Sequence, residues 1–163
     1  MTSRRTEPID PDVDLGHPAQ RRELIRSPAA VLLVIAVGGA LGALARYGLA
    51  RWWPTPAGGF PWATFVTNVT GCFLIGVLMV VVTDIRTAHP LVRPFLGVGV
   101  LGGFTTFSTY ANEARALLRP ETVAVSFAYL AGTLVCALLA TLVAMRATRA
   151  VHEAARRRGR AAA

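Results

Sequence analysis

The 163-residue chain contains no lysine; all 17 of its basic residues are arginine, set against nine acids for a formal net charge of +8. The lack of lysine carries no functional weight, but the placement of the arginines does. They lie in the tails and short links and leave the centre almost uncharged. That distribution excludes the nucleic-acid partner that so basic a balance would otherwise suggest. Basic flanks beside apolar runs instead mark cytoplasmic borders and contact with anionic lipid. Cysteine is scarce. Cys72 and Cys136 both fall in apolar stretches with no CxxC spacing, which excludes a disulfide framework and fits small apolar packing. His17, His89 and His152 are scattered through tails and links. There is no Ser/His/Asp set, no metal-ligand cluster and no phosphate loop, so catalysis is excluded. No apolar core directly follows Met1, so a secretory signal peptide is excluded as well. Residues 1–27 are polar, carry Pro8, Pro11 and Pro18, and are expected to form a disordered cytoplasmic tail.

What the chain does have is apolar length: 53% of its residues are hydrophobic, which points to the membrane class. Crossing about 30 Å of hydrocarbon takes roughly 20 residues of helix. Four stretches qualify: Ala29–Ala45 running on to about Ala50, Trp62–Thr83, Phe95–Asn112 running on to about Leu118, and Thr122–Met145. The first link, RWWPTPAGGFP, is turn-rich, and Trp52, Trp53 and Trp62 crowd there as an interfacial belt would. The fold predicted is an all-α membrane protein with four transmembrane helices over 28–146, the third broken mid-membrane. A basic tail, amphipathic or disordered, follows over 147–163.

Arginine placement sets the orientation. Thirteen arginines fall in the N-terminal tail, the second link and the C-terminal tail, whereas Arg46, Arg51, Arg115 and Arg119 fall on the other side. The positive-inside rule then puts both termini in the cytoplasm.

Polar groups at membrane depth are few and patterned. Gly38 and Gly42 stand at GxxxG spacing, which lets helix backbones approach closely. Arg46 ends that span, either snorkelling to the interface or drawing anions to a pore mouth. Thr64, Asn68 and Gly71 share one helical face. A buried Asn must be satisfied; it serves either as an interhelical bond or as an amide donor on a solute path. The string LGGFTTFSTY (101–110) puts a glycine pair beside Thr105, Thr106, Ser108 and Thr109, hydroxyls that compete for backbone hydrogen bonds. A helix break is predicted in this string, where Gly102–Gly103 weakens the helix. Such breaks are tolerated where buried in protein or lining a cavity, and they free carbonyls for cations and N–H groups for anions. Phe107 and Tyr110 stand at i, i+3; ring edges are positive and can favour a small anion. Glu113 is either an interfacial carboxylate or an acceptor for donors of the broken segment. Ser126, Tyr129 and Thr133 form either a hydroxyl track or an interhelical strip.

Three of these stretches together resemble one family. GGALGALARY (38–47), TFVTNVTGCFLIG (64–76) and GVGVLGGFTTFSTYANE (97–113) are similar, in order and spacing, to the signature regions of the Fluc-type fluoride channels, also called CrcB. The resemblance spans about Val31 to Met145. It implies an inverted, dual-topology dimer with two narrow pores, multi-pass in a bacterial plasma membrane. It implies a structural sodium ion at the dimer interface, held by carbonyls that map to Gly102 and Thr105. It places Asn68, Thr64, Phe107, Tyr110, Ser108, Thr109, Tyr129 and Thr133 along the anion path, with Arg46 and Glu113 at charged motif positions. Tyr110 departs from the family's usual Phe. The implied activity is passive export of fluoride, with membrane lipid around it and no nucleic acid. The thirteen-to-four arginine bias is strong for a chain that inserts both ways, so pairing with an oppositely oriented paralogue stands beside a homodimer.

Two other classes were weighed. A four-span multidrug exporter needs a membrane-embedded carboxylate in the first span, and that span has none. A non-transporting scaffold leaves Asn68 and the Thr105–Thr109 hydroxyls without a purpose.

Overall fold

The computed structural model describes residues 28–85 and 89–161. The expected N-terminal tail, 1–27, lies outside the described residues. Every regular element among the described residues is helical. Helix α1 spans Pro28–Trp52 and α2 spans Trp62–Val80, extended by a wider π-helical turn, Val81–Ile85. The third segment starts as a π-helix, Arg93–Leu101, and runs directly into α3, Gly102–Phe104. After an interruption it resumes as α4, Ser108–Ala116. Helix α5 is a single 39-residue rod, Val123–Ala161. Three helices, Ala29–Trp52, Trp62–Asp84 and Val123–Arg158, are long and apolar enough to cross a membrane.

Two seams assemble the bundle. Along the first, α1 runs parallel to the third segment with backbones in direct contact. A Cβ on Gly38 would come within 2.6 Å of the Phe95 carbonyl, and one on Gly42 would overlap the Val100 carbonyl. From the other side, a Cβ on Gly103 would overlap the Gly39 carbonyl. The GxxxG spacing therefore does what small residues do between membrane helices: it removes the side chains that hold backbones apart. Along the second seam, α2 and α5 run parallel. A Cβ on Gly76 would reach within 2.7 Å of the Thr141 carbonyl, and Thr141 Oγ1 donates to the Cys72 carbonyl at 3.0 Å. At the end of this seam the Arg149 guanidinium meets Asp84 at 2.8 Å. Since the first link returns the chain from α1 to α2, the start of α1 and the end of α5 lie at the same end of the bundle.

The interruption falls just after the glycine pair: Gly102 is helical (φ −64°, ψ −36°), and the first extended residue is Thr105 (φ −74°, ψ 158°). Glycine's intrinsic weakness in a helix, about 1 kcal/mol relative to Ala, is overruled here because Gly103 is needed against α1. Residues 147–161 continue α5 without interruption.

Candidate functional site: an interrupted helix held open by side chains

The interruption covers residues 105–107, and every backbone group it frees raises an accounting question. In an unbroken helix the Thr106 N–H would bond the Gly102 carbonyl. Instead it donates to Asn68 Oδ1 at 2.9 Å, while Asn68 Nδ2 donates to the Thr106 carbonyl at 2.9 Å. Asn68 is 9% exposed, and both ends of its amide engage one residue of the break. The Gly103 carbonyl accepts from Arg46 Nε at 3.2 Å. The Thr109 N–H, which would otherwise bond the Thr105 carbonyl, donates to Thr106 Oγ1 at 3.2 Å. Thr106 Oγ1 in turn donates to Thr109 Oγ1 at 3.1 Å. Thr105 donates its hydroxyl to the Leu101 carbonyl at 2.9 Å, and its methyl fills the space that a Cβ on Gly71 would take. Side chains of α1 and α2, together with Thr106 of the interruption itself, thus replace several of the missing helical bonds.

Among the carbonyls left without a helical donor are those of Gly102 and Thr105, whose donors are engaged by Asn68 and Thr106 respectively. Uncharged carbonyl oxygens suit a hard cation. The described residues contain no cluster of His, Cys, Asp or Glu that could compete for a metal. Two oxygens alone fall short of the coordination such a cation takes. Gly102 is exposed on the chain.

Beside the break lies a cavity of about 220 Å³ whose polar lining includes Arg46, Thr64, Thr67, Thr106, Thr109 and Glu113. Glu113 does not serve the broken segment's donors. Its Oε1 accepts from Thr64 Oγ1 at 3.0 Å and its Oε2 from the Tyr129 hydroxyl at 2.8 Å, so it joins α4 to α2 and α5. Arg46 resolves in a similar way: half-buried, it reaches across to α3 and also faces the cavity.

An aromatic row leads from the break to α5. The Phe107 and Tyr110 ring centroids are 5.8 Å apart, and Tyr110 meets Tyr129 edge-on at 5.1 Å. The Tyr110 hydroxyl donates to the Leu130 carbonyl at 2.7 Å. Phe107 at the other end is 79% exposed. On α5, Ser126, Tyr129 and Thr133 all face inward. Ser126 Oγ donates to the Ala114 carbonyl at 2.8 Å. Thr133 Oγ1 is buried and has no hydrogen-bond partner among the described residues.

The structure therefore gathers Asn68, Thr105, Thr109 and Arg46 around the break, and Thr64, Glu113 and Tyr129 into one hydrogen-bonded bridge. Ser108 stays exposed, with its Oγ 3.4 Å from Thr106 Oγ1. Thr67 was not singled out from sequence, yet it is 1% exposed and lines the cavity. Its place one turn after Thr64 was the available signal.

Comparison with known proteins agrees with this geometry. Residues 33–145 match the family described as CrcB-like protein, Camphor Resistance (CrcB). A Nocardia farcinica protein named fluoride-specific ion channel FluC 2 is 58% identical over 128 residues, covering 78% of this chain and 91% of the relative. Fluoride-specific ion channel FluC 1 of Streptomyces coelicolor is 56% identical over 126 residues, covering 77% and 82%. A Thermus thermophilus relative named fluoride-specific ion channel FluC is 44% identical over 115 residues, covering 70% and 90%. The matched span contains both seams, the interruption and the side chains that hold it, and the relatives bear the name of an ion channel rather than of an enzyme: this chain belongs to the CrcB family.

Proposed function

We propose that the protein is a fluoride-selective channel that lets fluoride accumulated by the cell leave passively across a bacterial plasma membrane. The observation that carries this reading is the side-chain-held interruption at 105–107, with Asn68 on one side and the Phe107–Tyr110 rings on the other. The third segment, broken as it is, serves as a fourth crossing. In the orientation that the arginine bias favours, both termini of the chain face the cytoplasm.

Fluoride is small and strongly hydrated, so a path must replace its water with donors. Asn68 has a second amide hydrogen beyond the one given to Thr106. The Ser108 hydroxyl is exposed and the Thr133 hydroxyl is without a partner among the described residues. Ring edges at Phe107 and Tyr110 add weak positive potential. Thr64 and Tyr129 act differently: their hydroxyls point to Glu113 and set the walls of the path. Arg46 raises local anion concentration in the cavity. Spreading these contacts over several sites keeps any one weak enough for the ion to leave.

The working unit is an antiparallel pair. It covers Phe107, and it brings two sets of Gly102 and Thr105 carbonyls together around a structural sodium ion. The Gly102 and Thr105 carbonyls would hold the ion, and it would supply fixed positive potential there. The partner is a second, oppositely oriented copy or paralogue.

The test is efflux from liposomes loaded with potassium fluoride, with potassium chloride as the comparison. Fluoride efflux with chloride retention is expected; equal release of both anions, or of neither, would overturn the reading. Efflux from this single gene product alone would decide for the homodimer over the paralogue pair.

A further inference from the structure

The overhang of α5 lies outside the path proposed above, and its chemistry is concentrated. Beyond the apolar span, the helix carries Arg146, Arg149, Arg156, Arg157, Arg158 and Arg160 against one acid, Glu153. At 100° per residue, Arg146, Arg149, Arg156 and Arg157 share an arc of about 100°, with Glu153 inside it. Arg149 shows where this arc points, since it pairs with Asp84 at the end of α2. No other ion pair is found among the described residues, and Arg156, Arg157 and Arg158 are exposed.

Lipid does not account for the outer arginines. Arg146 is the first charge after Val123 and marks the border of the apolar span. Arg157 stands eleven residues further along an unbroken helix, about 16 Å at 1.5 Å per residue. The headgroup layer takes up about 5–7 Å of that rise. The remainder exceeds the Debye length of about 8 Å at physiological salt. Arg146 and Arg149 sit at headgroup depth, and the Arg156–Arg158 cluster stands clear of it.

The chain itself holds a matching anion. Four of its nine acids, Glu7, Asp10, Asp12 and Asp14, fall within eight residues that contain no base. The segment is on the correct side, because the start of α1 and the end of α5 share one end of the bundle. It has the reach: Asp14 stands 14 positions before Pro28, up to about 48 Å of extended chain. We propose that the acidic segment 7–14 docks on the arginine face of the α5 overhang, closing an electrostatic clasp between the two ends of the same chain.

The clasp is tested on the full chain in nanodiscs of zwitterionic lipid. Spin labels go at Val13→Cys and Ala155→Cys, with Cys72→Ala and Cys136→Ala in the background. Electron–electron distance measurement is expected to give one narrow distribution. It broadens when Glu7→Gln, Asp10→Asn, Asp12→Asn and Asp14→Asn are combined, and in about 1 M salt, where the Debye length is about 3 Å. Arg156→Glu and Arg157→Glu together broaden it too, and adding Glu7→Lys, Asp10→Lys, Asp12→Lys and Asp14→Lys narrows it again. A distribution indifferent to these changes overturns the proposal. So does one lost when anionic lipid is added, which would give the arginine face to the membrane. Fluoride efflux is not the readout, so the clasp and the channel reading fail or stand separately.

Discussion

Asn68 grips the backbone of Thr106 twice, once as donor and once as acceptor, each at 2.9 Å. The pair imitates a rung of β-ladder between a side chain and a single residue of an interrupted helix. Replacing it with Asn68→Ala leaves both Thr106 groups without partners in a buried setting. Each such loss costs about 1–3 kcal/mol. Fluoride efflux is expected to fall at least about tenfold, the equivalent of 1.4 kcal/mol, and the melting temperature in detergent is expected to drop with it. Wild-type efflux from Asn68→Ala would show that the amide supports neither the break nor the ion.

The α1 seam predicts a sharp contrast among glycines. Gly42→Ala and Gly103→Ala put a methyl group into a backbone carbonyl, whereas a Cβ on Gly48 meets nothing within 4 Å. Overpacking costs about 1–3 kcal/mol or more. The first two variants are expected to melt lower and to yield less folded protein, and Gly48→Ala is expected to melt at least as high as wild type. Thermal melts of the three purified proteins check this.

Tyr110→Phe removes a hydroxyl whose partner, the Leu130 carbonyl, sits in the middle of α5. That carbonyl keeps a helical donor, so the loss is near the usual net value of about 1 kcal/mol. The ring pairs at 5.8 and 5.1 Å remain possible. A small fall in melting temperature with fluoride efflux within about threefold of wild type is expected, about 0.65 kcal/mol of barrier by the tenfold-per-1.36 rule.

Glu113→Gln replaces a carboxylate that accepts from two hydroxyls with an amide that accepts on one side and donates on the other. The hydroxyl facing the NH2 turns to accept from it, so both contacts persist as weaker, neutral hydrogen bonds. In Tyr129→Phe alone a carboxylate oxygen is stranded, whereas in combination with Glu113→Gln the stranded group is a neutral amide, which costs less. The double variant is therefore expected to be more stable than the sum of the single ones, in a double-mutant cycle read by thermal melting.

Much of this was legible in the sequence. Apolar length alone marked out α1, α2 and α5, and the hydroxyl-rich string marked an interruption in the third segment. The interruption's position was not legible. Glycine reads locally as a weak point, but Gly103 is held in helix by contact with α1, a tertiary fact. Asn68 read equally well as glue or as donor, because only the fold shows that Thr106 lies opposite it. The wide π-winding of Arg93–Leu101 left no mark that periodicity could detect in a run of glycine, valine and leucine. Nor did the arginines after residue 146 announce that α5 would continue; once a helix is nucleated, propagation is easy and Ala and Arg both favour it.

The seam between α1 and the third segment has a mechanical consequence. With carbonyls packed where side chains would be, there is no soft layer to absorb a displacement. Arg46 braces the interruption from one flank and Asn68 from the other, like a beam clamped at both ends. If the path proposed above runs beside so stiff a member, packed backbone fixes its bore, and ions would be sorted by width with no hinge to open or shut.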